Sequence, residues 1–243
     1  MRQYIYGKNT VMESLKGDKP VYQIYLMKNV KDEKLLSLAQ KRNVNINFVA
    51  HKGVLNDLVG NVVHQGIVAQ VEGYDYFEID QILKAIPEGK QPLLLMLDGL
   101  EDPHNLGAML RTCDAVEVDG VIIGKNRSVG LTPTVAKVST GAIDHVKVAQ
   151  VTNLSRTLED LKKQGFWVVG CDLHESQDYR AIDYNMPVVI VIGSEGFGIS
   201  RLVKSSCDMN VILPMNGHVT SLNASVATAV ILYQVYNSRH PLK

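Results

Sequence analysis

Leu93-Leu94-Leu95-Met96-Leu97 runs without a break into Asp98-Gly99-Leu100-Glu101-Asp102-Pro103-His104-Asn105-Leu106-Gly107. Five consecutive apolar residues with no polar alternation describe a strand buried on both faces, as in a parallel sheet covered by helices. The Asp-Gly pair closing it and the Pro and Asn beyond mark a loop that turns into a helix. The same pattern recurs in Gly120-Val121-Ile122-Ile123, Val146-Lys147-Val148-Ala149, Phe166-Trp167-Val168-Val169-Gly170 and Val188-Val189-Ile190-Val191-Ile192. A sixth strand, ending at Leu213-Pro214, follows. Helices are expected from about Leu106, near residues 134–140, over 154–163, and from Ser221-Leu222-Asn223 onward. This alternation predicts an α/β domain with a doubly covered, mainly parallel sheet. Ligands of such sheets bind at the carboxyl ends of the strands, so the strand-end loops are where chemistry is sought.

Upstream lies a smaller α/β unit. Val21-Tyr22-Gln23-Ile24-Tyr25-Leu26, Ile46-Asn47-Phe48-Val49 and Gly66-Ile67-Val68-Ala69-Gln70-Val71 read as strands, with helices over 9–16 and 31–42. Tyr74-Asp75-Tyr76-Phe77-Glu78, a short helical patch and Pro87-Glu88-Gly89-Lys90-Gln91-Pro92 read as a linker. The expected organisation is therefore domain 1–73, linker 74–91 and domain 92–243. A length of 243 residues and 46% apolar content support real cores. With no 18-residue apolar run and no signal-peptide pattern, a soluble cytoplasmic chain is expected, with no membrane partner. Cys113, Cys171 and Cys207 are odd in number and form no CxxC pair, which argues against disulfide scaffolds and zinc ribbons. Formal net charge is zero, yet residues 1–73 hold ten Lys/Arg and six Asp/Glu, while residues 91–243 hold thirteen and fifteen. A basic front end fits a polyanion-handling arm, and equally a solvated helix face for Lys28, Lys31, Lys34, Lys41 and Arg42.

Three loops concentrate polar residues at strand ends. In the first, Asn105 is placed to cap the helix, whereas Arg111 lies between Leu110 and Cys113 in an apolar helix and calls for an anion or carboxylate partner. The second, Gly193-Ser194-Glu195-Gly196-Phe197-Gly198, has GxxGxG spacing, so it is neither a dinucleotide fingerprint nor a P-loop. Glu195 there would repel phosphate and suits a donor-rich partner. The third, Gly217-His218-Val219-Thr220-Ser221-Leu222-Asn223-Ala224-Ser225, crowds a hydroxyl and an amide at a helix entrance, more than capping needs. No GxSxG or HExxH occurs, and the seven histidines, His174 among them, show no metal-ligand spacing, so no metal is expected. His218 and Ser221 lack a third, orienting group for nucleophilic catalysis.

Taken in order, Asp102-Pro103-His104-Asn105-Leu106-Gly107 with Arg111, Ile192-Gly193-Ser194-Glu195-Gly196, and Leu213-Pro214-Met215 with Ser221-Leu222-Asn223-Ala224-Ser225 resemble the three motifs of the SpoU (TrmH-type) RNA 2′-O-ribose methyltransferases. Ile5-Tyr6-Gly7-Lys8-Asn9-Thr10-Val11 and Val63-His64-Gln65-Gly66-Ile67 are similar to the N-terminal substrate domain of the bacterial large-subunit rRNA guanosine methyltransferase branch. The resemblance implies a C-terminal SPOUT domain with a deep trefoil knot, where patterning alone would draw an unknotted sheet. It also implies S-adenosylmethionine as cofactor, held around Gly193, Leu213 and Leu222, and catalytic or RNA-binding roles for Asn105, Arg111, Glu195, Ser221 and Asn223. It implies a homodimer, for which Ala224, Ala227 and Thr228 offer a small-residue helix face. The substrate implied is a guanosine of 23S ribosomal RNA; the alternatives are a tRNA ribose methyltransferase, or a catalytically silent RNA-binding or ribosome-assembly protein.

Overall fold

The computed structural model describes residues 2–17, 19–172 and 176–242. The chain divides into two compact units, Met1–Asp75 with Leu131–Thr134, and Tyr76–Gly130 with Val135–Lys243.

The first unit contains β1 (Arg2–Tyr6), α1 (Lys8–Lys16), β2 (Val21–Met27), α2 (Glu33–Lys41), β3 (Asn45–Val49), α3 (Lys52–Val59) and β4 (Ile67–Glu72). The sheet order is β1-β4-β2-β3, with β4 antiparallel to β1 and β2 and β3 parallel to β2. Ile5, Ile24, Leu26, Ile67 and Ala69 form one face, packed with Val11 and Leu15 of α1 and Leu35 and Ala39 of α2. The sequence pattern missed β1 and α3, because each buries a single side chain, Ile5 and Leu55, which leaves no periodicity to detect. Arg42 is not a solvated cation: it donates to the carbonyl oxygens of Ser14, Leu15, Gly17 and Lys19. Lys28, Lys31, Lys34 and Lys41 are exposed.

The two segments that carry the N-terminal resemblance hold each other. Gln65 (φ 54°) and Gly66 (φ 77°) make a left-handed turn that lets Gln65 Oε1 accept from Lys8 N at 3.0 Å, while Gly7 N donates to Ile67 O at 3.0 Å. A Cβ on Gly66 would lie 2.7 Å from Val30 Cγ2, so glycine is required there. Buried His64 supports the turn: its Nδ1 accepts from Gly66 N at 2.9 Å and its Nε2 faces Asn56 Oδ1 at 3.2 Å. Desolvation, then the nearby Lys52 charge, holds its pKa below the ordinary histidine value. The unfolded chain therefore takes up a proton first, and this stabilisation is complete above about pH 6.5 and lost as pH falls below it. The urea midpoint should drop between pH 7.5 and 5.5, and less so in His64→Asn, which keeps an acceptor for Gly66 N. An equally steep drop in the variant would remove His64 as the cause.

The second unit contains α4 (Ile79–Lys84), β5 (Leu93–Asp98), α5 (Pro103–Ala115), β6 (Gly120–Gly124), α6 (Pro133–Ser139), β7 (Val148–Val151), α7 (Leu154–Lys162), β8 (Trp167–Cys171), β9 (Gln177–Asp178), β10 (Val188–Gly193), α8 (Arg201–Lys204), β11 (Met209–Ile212) and α9 (Ala224–Arg239). Its strands are ordered β7-β6-β5-β10-β8-β11-β9, and every pairing is parallel. Leu94, Met96, Ile122, Val168, Val189 and Val191 share a core with Leu158 and Leu161 of α7 and Val203 of α8. Ile82 of α4 belongs to the same core, so the stretch read as a linker carries a packed helix. The two-residue β9 was not legible, and β11 ends at Ile212 rather than Leu213. β11 lies between β8 and β9, strands that follow one another in the chain.

Helix α9 buries two residues of its small-residue face inside the unit and leaves the third, Ala227, half-buried. Ala224 and Thr228 are buried, and Thr228 Oγ1 donates to Ala224 O at 2.7 Å. The large apolar residues that α9 exposes are Val226, Tyr233 and Tyr236. At its far end Arg239 donates from Nε to Tyr184 O (3.0 Å), from one terminal nitrogen to Gln91 O (2.7 Å), and from the other to Pro92 O (3.1 Å) and Met186 O (2.7 Å). These carbonyls precede β5 and β10, so one guanidinium ties the end of α9 to the start of both central strands. Bonds to a charged group contribute roughly 1.5–3 kcal/mol each at most, and they share one side chain, so Arg239→Ala should destabilise by about 2–3 kcal/mol. Urea denaturation reads this directly; a loss under ~0.5 kcal/mol would contradict it.

Candidate active site

The parallel register sets Asp98, the last residue of β5, beside Gly193, the last residue of β10, so the first two loops leave the sheet together. Asp102, not Asn105, caps α5: its Oδ1 accepts from His104 N at 2.9 Å, and Pro103 occupies the first turn, where its missing N–H costs nothing. Asn105 is thereby released from the capping role its sequence position suggested. It is 5% exposed and donates from Nδ2 to Glu195 Oε1 at 2.9 Å.

Glu195 sits at the tip of a tight loop closed by paired bonds, Ser194 N to Gly198 O and Gly198 N to Ser194 O, both 3.0 Å. A Cβ on Gly193 would fall 2.0 Å from Gly198 C, so only glycine permits the closure. Asp98 Oδ2 accepts from Ser200 N at 2.7 Å and anchors the loop's exit to β5.

Asn223 completes the arrangement. As the N-cap of α9 its Oδ1 accepts from Ser225 N (2.9 Å) and Val226 N (3.3 Å). Its Nδ2 donates to Asn105 Oδ1 (2.9 Å) and to Glu195 Oε1 (2.7 Å). Ala224 N adds a third donor to that oxygen at 3.2 Å. One carboxylate oxygen thus gathers both asparagine amides and the start of α9, joining three segments far apart in sequence. Glu195 Oε2 receives none of these bonds.

Two predicted site residues stand outside this cluster. Arg111 is exposed, and no described side chain pairs with it; Leu110 and Cys113 are buried because successive helical residues point about 100° apart. The Arg111 side chain therefore points to solvent, where an anion can reach it. Ser221 is exposed and does not cap α9, a role Asn223 fills. Leu213 is half-buried and Leu222 is 37% exposed. Residues 214–222 form no helix or strand and make no backbone–backbone hydrogen bond among the described residues. Burial pushes the Cys171 thiol up to about 11 and the Cys207 thiol up to about 12, so neither is an activated nucleophile at neutral pH. Among the described residues no group of three or more His, Cys, Asp or Glu is placed to hold a metal; His174 lies outside them. No helix of the described residues is long and apolar enough to cross a membrane.

A cavity of about 710 Å³ opens at the carboxyl ends of the sheet, where β5 and β10 lie side by side. Glu101, Asn105, Asn126, Arg127, Glu195 and Phe197 are among its walls. It was not legible in sequence, because its walls come from four separate segments of the chain. Its position is the topological switch point, since the chain leaves β5 toward β6 and β7 and then returns to build the sheet on the other side.

A parallel α/β sheet whose loops lock an Asn–Glu–Asn cluster beside a nucleotide-sized cavity, joined in one chain to a separate small α/β unit, defines a two-domain α/β protein with its candidate active site at the strand ends. Residues 92–233 match the SpoU rRNA Methylase family, and the chain belongs to it. Residues 4–77 match the RNA 2′-O ribose methyltransferase substrate binding family. A protein of Bacillus subtilis (strain 168) assigned by name to the TrmH family of tRNA/rRNA methyltransferases, YacO, is 50% identical over 98% of this chain and 97% of its own length. A Staphylococcus aureus (strain COL) protein with the same family assignment is 47% identical over 97% and 96%. Two solved structures share the fold. The SpoU methyltransferase AviRb from Streptomyces viridochromogenes, in complex with AdoMet, has a TM-score of 0.64 at 24% identity, covering 100% of this chain and 92% of that one. An AdoMet-bound rRNA methyltransferase from Sinorhizobium meliloti has a TM-score of 0.63 at 23% identity, covering 100% and 88%.

Serine caps helices about as well as asparagine but lacks the Nδ2 donor. Asn223→Ser should therefore lower methyl transfer to RNA at least tenfold while shifting the melting temperature by no more than a few degrees, roughly the effect of 1 kcal/mol. Retained transfer would show that the Asn223–Glu195 bond serves stability alone.

Proposed function

We propose that this protein is an S-adenosylmethionine-dependent RNA 2′-O-ribose methyltransferase acting on a guanosine of 23S ribosomal RNA. The observation that carries the reaction class is the convergence of Asn105, Glu195 and Asn223, one from each of the three motifs, on a single carboxylate oxygen. Residues 213–222 fit the cofactor's nucleoside: they present unpaired backbone donors and acceptors beside Leu213 and the exposed Leu222, the mix of apolar surface and few polar groups that small-molecule sites use. Gly193 would contribute its backbone at the edge of that wall. When bound, S-adenosylmethionine supplies a sulfonium-activated methyl group.

The chain must then align a ribose 2′-hydroxyl, take its proton and support the developing oxyanion. Asn105 and Asn223 fix the Glu195 carboxylate through Oε1, which leaves Oε2 free to accept from the hydroxyl. Arg111 does not act as a base, because a guanidinium keeps its proton. Exposed and unpaired, it is suited to a bidentate hold on an RNA phosphate, whose oxygen is the other candidate proton acceptor. Ser221 positions substrate from the same wall as Asn223.

The first unit, with exposed Lys28, Lys31, Lys34 and Lys41, grips ribosomal RNA around the target; this separate unit favours rRNA over tRNA. The exposed Val226 and Tyr233 of α9 support a homodimer, since Ala224 and Thr228 of the small-residue face are buried within the chain. The insertion of β11 between β8 and β9 supports the threaded, knotted chain the resemblance implies. The setting is cytoplasmic. Mapping ribose methylation across total RNA from a deletion strain and its parent tests the reading. Loss of one 23S guanosine mark is expected. Loss of a tRNA mark with rRNA unchanged would reassign the substrate, and no loss together with no calorimetric S-adenosylmethionine binding would remove the enzyme.

A further inference from the structure

We infer that the cavity at the ends of β5 and β10 receives the base of the target nucleotide, with Phe197 as its stacking platform and Glu101 reading a guanine Watson–Crick edge. This rests on the methyltransferase reading above. The cavity shares Asn105 and Glu195 with the catalytic cluster, so a ribose held at Glu195 has its base within reach of the same walls. Its volume of about 710 Å³ lies within the range of small-ligand sites and accommodates a nucleotide.

Phe197 is 95% exposed. It stands between Gly196 (φ 95°) and Gly198 (φ 66°), at the cavity wall, and folding gains nothing from it there. An exposed aromatic beside a nucleotide-sized space is what enzymes use to stack an extruded base.

The charge of the walls selects which part of the nucleotide enters. Asp98, Glu101, Asp102 and Glu195 line the cavity with Arg127, the cation among the described lining residues, so the cavity repels a phosphate and favours hydrogen-bond donors. Most of these carboxylates are already engaged: Asp98 by Ser200 N, Asp102 by His104 N, Glu195 by its three donors. Glu101 is exposed, with both oxygens open. Two adjacent acceptors match two adjacent N–H donors. Guanine alone presents these on its Watson–Crick edge, N1–H beside the 2-amino group; adenine and cytosine pair one donor with an acceptor, and uracil flanks one donor with two acceptors. Arg127, held at φ 52°, is left for the sugar–phosphate outside the mouth.

The test uses the full chain, RNA from a strain lacking the gene, and tritiated S-adenosylmethionine, with labelled RNA digested to nucleosides. Label is expected in 2′-O-methylguanosine. Glu101→Gln and Phe197→Ala should each lower kcat/KM for RNA at least tenfold, with S-adenosylmethionine affinity by calorimetry and melting temperature unchanged, as both side chains are exposed. Label in another ribose-methylated nucleoside overturns the guanine assignment while leaving the methyltransferase intact. Either variant within twofold of wild type removes that residue from the site. Wild-type protein that binds no S-adenosylmethionine and labels no RNA overturns both readings.

Discussion

The ladder between β5 and β10 runs from the Leu93–Val188 pair to the Asp98–Gly193 pair, and the site is built where it stops. Because the two strands end level, their loops leave side by side, and the β10 loop is tied back to β5. Asp98 binds the backbone at Ser200, and Gly193 lets its own loop fold back to within a distance no side chain could share. Glu195 is therefore presented at a fixed height above the sheet. A carboxylate gathering three donors needs such preorganisation, since an ordering penalty met during the reaction would subtract from transition-state stabilisation.

Helix α9 carries that constraint across the unit. Its first residues reach Glu195 through Asn223 and Ala224, the helix packs on α5, and Arg239 at its end binds carbonyls ahead of both central strands. The helix is pinned at both ends to the strands that define the site. Substitutions along α9 will therefore mix effects on stability and on chemistry unless the cap is preserved.

Much of this was legible from local pattern. Unbroken apolar runs marked the parallel strands, because burial on both faces removes the alternation seen in half-exposed ones. The three polar loops stood out because their residues exceeded what capping uses. Local pattern failed where one role could be filled by several neighbours. Asn105 and Asp102 are both competent caps three residues apart, and Pro103 at the first turn decides for Asp102. Arg111 looked buried because its sequence neighbours are, although a helix turns neighbours to different faces. β1, α3 and β9 were silent because each contributes one core side chain or almost none.

By itself, then, the sequence determined a parallel α/β domain behind a smaller α/β unit, and the polar residues able to serve chemistry at the strand ends. It did so because periodicity and helix-entry chemistry are local properties of the chain. Tertiary structure alone decided that Asn105, Glu195 and Asn223 are bonded together while Arg111 and Ser221 make no bond to them, and that the walls of one cavity come from four separate segments. Those outcomes depend on strand register and on the order β6-β5-β10-β8, which no stretch of sequence encodes on its own. They are set by long-range packing, in which a shift of one residue in the β5–β10 ladder would turn every side chain of a strand to the opposite face and separate the loops.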